Sequence, residues 1–125
     1  MSRARTLANL ADGIGVSDLN SDAQPLGVNQ TWQSVTASRA LSTDYTNSTG
    51  RPIMVVVTST RSSAAASGSI TAVVGGVTVG SVYTFETNSS VYQPFQNSLT
   101  FVVPAGATYR VNGSSTVLNT WVELR

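Results

Sequence analysis

The stretch Gln30–Ile53, QTWQSVTASRALSTDYTNSTGRPI, decides how the chain reads. From Gln30 to Thr36, Thr31, Gln33 and Val35 alternate with Trp32 and Ser34, the period of two that marks a strand. Asn47-Ser48-Thr49-Gly50 ends in a glycine suited to positive φ and runs into Arg51-Pro52, so a tight reversal is expected there. Ile53 to Thr60 then resumes as a run rich in β-branched residues, which pack well on a pleated surface. Strand, reversal and strand together predict an all-β chain.

The pattern continues outward. Further strands are expected at Ser69 to Val74, Val77 to Thr84, Ser90 to Phe95, Leu99 to Val103, Thr108 to Val111 and Thr116 to Arg125. Gly75-Gly76 predicts a two-residue hairpin, and Pro104-Ala105-Gly106 and Asn112-Gly113 predict two more turns. Short strands at this spacing predict an antiparallel β-sandwich, with a jelly-roll-like topology preferred. Arg61 to Gly68, RSSAAASG, is low in complexity and is expected as a loop. A chain of 125 residues has room for a single core.

That core is expected over residues 28–125, preceded by an N-terminal attachment arm and linker over 1–27. Leu7, Leu10, Ala11 and Ile14 share one helical face, with Gly13 as a stop, so the arm predicts a short helix. Helices under about 12–15 residues are marginal in water and need something to dock on. Two docking sites stay open, its own domain or a neighbouring protein. Gly15 to Gly27 is polar and turn-rich, the composition of a linker. Within it, Asp18-Leu19-Asn20-Ser21-Asp22 begins like a calcium loop, but Ala23 and Asn29 stand where that loop needs Gly and Glu. An Asx-rich turn is the expectation.

Only 10% of residues are charged, against about 25% in ordinary soluble domains, and all seven basic residues are arginine. The net charge of +1 and the scatter of Arg39, Arg51, Arg61 and Arg110 argue against nucleic acid as a partner. No apolar run reaches the roughly 20 residues of a membrane span, and the start of the chain has no signal-like apolar core. With no Cys and no His, disulfides, thiol catalysis, imidazole catalysis and the usual zinc sites fall away. A serine nucleophile has neither His nor Lys to activate it. Asp44, Glu86 and Glu123 are the acids of the β-body, and Glu123 shares a strand face with Trp121 and Arg125, the arrangement of an ion pair. A non-enzymatic protein without a cofactor is expected.

Strands with one buried face alternate, yet Ile53-Met54-Val55-Val56-Val57 and Phe101-Val102-Val103 are apolar on both sides. Either a neighbouring subunit or the N-terminal arm covers the outer side, or β-branched residues are there for strand propensity alone. Carbohydrate recognition is chemically supplied by Trp32, Tyr45, Tyr83, Tyr92, Tyr109 and Trp121 with nearby amides. For Trp32 and Trp121 a core or subunit-contact role is the plainer reading. Tyr92, Gln93, Gln96 and Asn97 are the candidate ligand-binding residues. The sequons at Asn29, Asn47, Asn88 and Asn112 are chance products of a chain rich in Asn, Ser and Thr.

Trp32, the isolated Arg39 among small residues, and Tyr45 leading into Asn47-Ser48-Thr49-Gly50 together resemble a segment recurrent in small β-domains of bacteriophage tail fibres. The resemblance covers Met1 to Thr58 and extends beyond only in general character. It implies a homotrimeric virion structural protein, made in the host cytoplasm, whose N-terminal arm grips other virion proteins. Leu7, Leu10, Ile14, Arg39, Arg51, Met54 and Val56 are then the candidate oligomer contacts, with Arg39 and Arg51 expected in a structural ion pair or a carbonyl-binding role at the trimer contact. The preferred reading is a short tail fibre or receptor-binding tip that contacts bacterial surface glycan. A capsid decoration or head-fibre protein is the alternative, and a free carbohydrate-binding module a third.

Overall fold

A computed structural model describes residues 13, 15, 19–62, 67–84 and 96–125. Among these residues eight strands carry the fold: β1 Trp32–Ser34, β2 Tyr45–Thr46, β3 Ile53–Arg61, β4 Gly68–Val74, β5 Val77–Thr84, β6 Gln96–Val103, β7 Thr108–Ser114 and β8 Thr116–Leu124. They form two antiparallel sheets, sheet A in the order β1-β8-β3-β6 and sheet B in the order β2-β7-β4-β5. The order has a simple origin. Counted from the ends, β1 pairs with β8, β2 with β7, β3 with β6 and β4 with β5, as in one long antiparallel ribbon. Wrapping that ribbon lays β8 beside β3 and β7 beside β4, which closes the jelly roll.

The expected sandwich is therefore present. The strand expected at Ser90 to Phe95 and the helix carrying Leu7, Leu10 and Ile14 lie outside the described residues. Several details differ from expectation: Arg61 and Gly68, expected in a loop, end β3 and open β4, and β6 opens at Gln96, ahead of the strand expected from Leu99. The strand over Gln30 to Thr36 is only β1, because Val35 turns out of the ladder into a 3₁₀ turn at Thr36–Ser38. β2 is new, and two residues are too few to show a period. The turn expected at Asn112-Gly113 is also absent: β7 runs on to Ser114, and Ser115, at φ 50°, makes the reversal. Gly113 serves close approach instead, since a Cβ there would lie 2.6 Å from Leu41 Cδ1 and 2.8 Å from Thr116 Oγ1.

Alternation puts Ile53, Val55 and Val57 of β3 against Ile70, Ala72 and Val74 of β4. Leu99, Phe101, Val103, Tyr109, Val111 and Trp121 complete the core. In β8 the register with β3 jumps from Thr58↔Thr120 to Ser59↔Leu118, so Asn119 is the extra residue of a bulge. That extra residue lets both Leu118 and Trp121 pack inward although they are three apart. Gly75 and Gly76, both at positive φ, close the β4–β5 hairpin as expected.

The reversal at Asn47–Gly50 is fastened from inside. Asn47 is 2% exposed, and its Nδ2 donates to the carbonyls of Arg51 (2.7 Å), Val103 (3.1 Å) and Pro104 (3.1 Å). Its Oδ1 accepts from Thr49 N and Thr49 Oγ1, while its backbone exchanges bonds with Gly106 and Ala107. One amide thus binds the β2–β3 turn to the β6–β7 turn. Its burial also leaves the sequon at Asn47 no room for a glycan.

The described part of the expected linker is attached to that same reversal. Arg51, itself buried, donates through Nη2 to the carbonyls of Pro25 and Val28. Gln30 accepts from Gly27 N and donates to Pro52 O. The described part of the calcium-like stretch is a 3₁₀ turn at Ser21–Ala23 capped by Asn20, whose Oδ1 accepts from Ala23 N at 2.9 Å. We expect Asn47→Ala to cost about 2–3 kcal/mol in urea unfolding at unchanged m, because it strands buried carbonyls. Asn47→Asp should not rescue it, since a carboxylate would face three carbonyl oxygens.

Candidate assembly face

The register of sheet A builds rows of side chains on its outer surface. One row runs Trp32, Leu124, Met54, Val102 across β1, β8, β3 and β6. The next runs Ser34, Val122, Val56, Thr100. A third, Thr120, Thr58 and Ser98, is hydroxyl-bearing, with Thr58 and Ser98 in a 2.8 Å hydrogen bond. Trp32 is 53% and Val102 45% exposed, and Met54, Val56, Val122 and Leu124 are half-buried. None of the eleven carries a charge.

Sheet B presents a different surface. Its outer rows are Ser114, Ser69, Tyr83, then Asn112, Thr71, Ser81, then Arg110, Val73, Thr78. Thr71 and Ser81 share a 2.9 Å hydrogen bond, and Arg110 lies 3.6 Å from Asp44. Asp44, Val73, Gly76, Thr108, Tyr109 and Arg110 line an open cleft of about 310 Å³ in which Asp44, Thr108 and Arg110 supply polar groups. The two outer faces share a ladder architecture and differ in chemistry: sheet A carries two rows rich in apolar groups beside a hydroxyl row and no charge, whereas sheet B carries hydroxyls, an amide and an ion pair around Val73 and Tyr83.

The apolar rows depend on a short strand and on the strand that holds it. β1 has three residues, all exposed, and backbone bonds around it hold it in place. Thr31 and Arg125 exchange two backbone bonds of 3.1 Å, Val35 N donates to Trp121 O, and Thr36 Oγ1 accepts from Trp121 N. Beneath them, on the inner face of β8, Glu123 is completely buried. Its Oε1 accepts from Tyr109 OH (2.7 Å), Trp121 Nε1 (3.1 Å) and Arg39 Nε (3.1 Å). Its Oε2 accepts from Arg125 Nη1 (2.9 Å) and Arg39 Nη2 (3.3 Å).

Arg39 also lies 4.5 Å over the ring of Tyr45, whose hydroxyl accepts from Ala40 N. The rings of Tyr45, Tyr109 and Trp121 touch one another, with centroids 5.8–6.4 Å apart. Burial alone pushes the Glu123 carboxyl up, but hydrogen bonds from Tyr109, Arg39 and Trp121 and the Arg39 charge outweigh it. The carboxyl is held below its ordinary value. Burial and the Glu123 partner push the Tyr109 phenol up to about 12. With five donors on two oxygens, the carboxylate is an anchor in this site.

The residues singled out in the sequence are thus distributed. Met54 and Val56 lie side by side on the outer face of sheet A. Arg39 lies on the opposite side of that sheet, bound to Glu123, and Arg51 binds carbonyls of its own chain; these are the ion-pair and carbonyl roles within one subunit. Gln96 and Asn97 open β6 opposite Thr60 and Ser59, with Gln96 exposed. Leu7, Leu10, Ile14, Tyr92 and Gln93 lie outside the described residues. Trp121 is core, whereas Trp32 is on the surface. Sequence reading missed Val122 and Leu124, although their alternation with Trp121 and Glu123 assigns them to the outer face. No protein-family model matches the chain, and no curated protein matches it.

The pH dependence follows from the two shifts. Because the folded Glu123 carboxyl sits below its unfolded value, the unfolded state takes up the proton first, and stability falls as pH drops below about 4.3. Because the folded Tyr109 phenol sits above 10.0, the unfolded state loses its proton first, and stability falls as pH rises from 10.0 to about 12. Urea midpoints across pH should show Glu123→Gln flattening the acid limb and Tyr109→Phe flattening the alkaline one.

Proposed function

We propose that the protein is a non-enzymatic structural component of a bacteriophage particle that assembles as a homotrimer through the outer face of sheet A. The observation that carries this reading is the pair of rows Trp32-Leu124-Met54-Val102 and Ser34-Val122-Val56-Thr100, six of whose eight side chains are apolar, with Trp32 and Val102 exposed and the other four half-buried in a single chain. The likeness of Trp32, Arg39, Tyr45 and Asn47–Gly50 to phage fibre segments supplies the virion and the threefold assembly. Sheet B, with its polar rows and open cleft, is then the outward side. In this reading the trimer is a short tail fibre or receptor-binding tip, held by its N-terminal arm, whose outward side contacts bacterial surface glycan.

The fold itself favours a second reading, because jelly rolls serve in viral capsid shells as well as in lectins. In that reading the same trimer ornaments the capsid. Light scattering of the purified chain should give the mass of three chains, and Val56→Glu that of a smaller species with an unchanged circular dichroism spectrum. A wild-type monomer at tens of micromolar would overturn the trimer in both readings. Immunogold labelling of particles then separates them: label at the tail tip supports the fibre, and label across the shell supports decoration.

A further inference from the structure

The register that pairs Tyr45 with Tyr109 sets Asp44 opposite Arg110 one step further along, on the outer side of sheet B. Two charges meet there, on a face whose other described rows are neutral. Asp44 Oδ1 and Arg110 Nη1 lie 3.6 Å apart, with 71% and 42% of the two side chains exposed. That separation is beyond hydrogen-bond length, so the carboxylate oxygens and the guanidinium donors spend no hydrogen bond on each other. An exposed pair of this kind contributes little to stability. Its position beside a cleft gives it another use.

The cleft of about 310 Å³ has the volume of a small-molecule site at the low end of the range. Val73, the ladder partner of Arg110, supplies its apolar group, and Thr108 a hydroxyl. On the hairpin side Gly75 N donates to Thr108 O at 2.8 Å, which fixes the turn, and Gly76 presents bare backbone. We propose that the cleft binds one neutral hexose unit of a surface glycan. Asp44 accepts from two adjacent ring hydroxyls, Arg110 donates to a third oxygen, and the C–H face of the ring lies on Val73. A neutral polyol satisfies both charges at once, whereas an acidic sugar meets the Asp44 carboxylate and a basic one the Arg110 guanidinium. Tyr109 is 2% exposed and turns its hydroxyl to Glu123, so no ring face is offered for stacking. The single site is therefore weak, on the order of 1–10 mM for a ligand of that size. The proposal rests on the fibre reading for its biological partner, and three copies on one trimer make the contact firm by avidity.

Amide NMR of the wild-type protein tests it, with the methyl glycosides of glucose, galactose and mannose, and N-acetylneuraminic acid as the acidic arm, each raised to about 100 mM. At least one neutral glycoside should shift Asp44, Gly76, Thr108 and Arg110, and the acid should not. Asp44→Ala and Arg110→Ala should each weaken that binding about tenfold, as expected for a lost charge-assisted hydrogen bond, with little change in melting temperature. No shift at the cleft with any of the three, tighter binding of the acid, or affinities unmoved in both variants overturns the site. Light scattering is read separately. A monomer that still binds the glycoside keeps the site and removes the trimer, while a trimer whose cleft takes no sugar removes the site and keeps the assembly.

Discussion

A carboxylate in the middle of a sandwich dictates where much else can be. Glu123 has no exposed surface, and an ionised group in that position is tolerable only with charge and hydrogen bonds around it. Five bonds from Tyr109, Trp121, Arg39 and Arg125 supply both. Replacing such a cluster by apolar residues is often no loss of stability, so its contribution is to specificity. A one-residue slip of β8 would turn Glu123 to the outer face and bring Val122 or Leu124 inward, leaving Arg39 and Tyr109 without their acceptor. The register of β8 between β1 and β3 is fixed by that penalty.

What is fixed inside is also fixed outside. β8 alternates Trp121 and Glu123 inward with Val122 and Leu124 outward, and these outward residues are the centre of the two apolar rows. β1 brings Trp32 to the end of one row, and it is held there by bonds to Trp121, Arg125 and the chain leading into Arg39. The Asn47 and Arg51 clusters do the same for the start of β3, by tying the reversal before Ile53 to the β6–β7 turn and to Pro25 and Val28. The polar interior therefore shapes a surface that carries two rows rich in apolar groups and no charge, while sheet B keeps its ion pair outside.

Legibility in the sequence followed the range of the interaction. The two-sided apolar run at Ile53 to Val57 was readable because both faces of one strand are adjacent in the chain, and the Glu123–Arg125 pair because the two are neighbours on one face. Arg39 and Glu123 stand 84 residues apart, and no local pattern links them. β2 was too short to leave a period. Asn112-Gly113 carried a turn signal, but glycine there answers to the crowding of Leu41 and Thr116, which only the packed structure contains. Trp32 and Trp121 are alike in composition and opposite in burial, because face assignment depends on register that the residues themselves do not record.

The anchoring of β8 and the Arg39 segment by one buried carboxylate is tested most directly by a double-mutant cycle. Urea unfolding of Arg39→Gln, Glu123→Gln and the double variant gives the coupling between the two side chains. A coupling of about 2 kcal/mol or more is expected, because either single change leaves a buried charge behind and the second removes it. Additivity within about 0.5 kcal/mol would mean that the two act independently and that the register of β8 is set elsewhere.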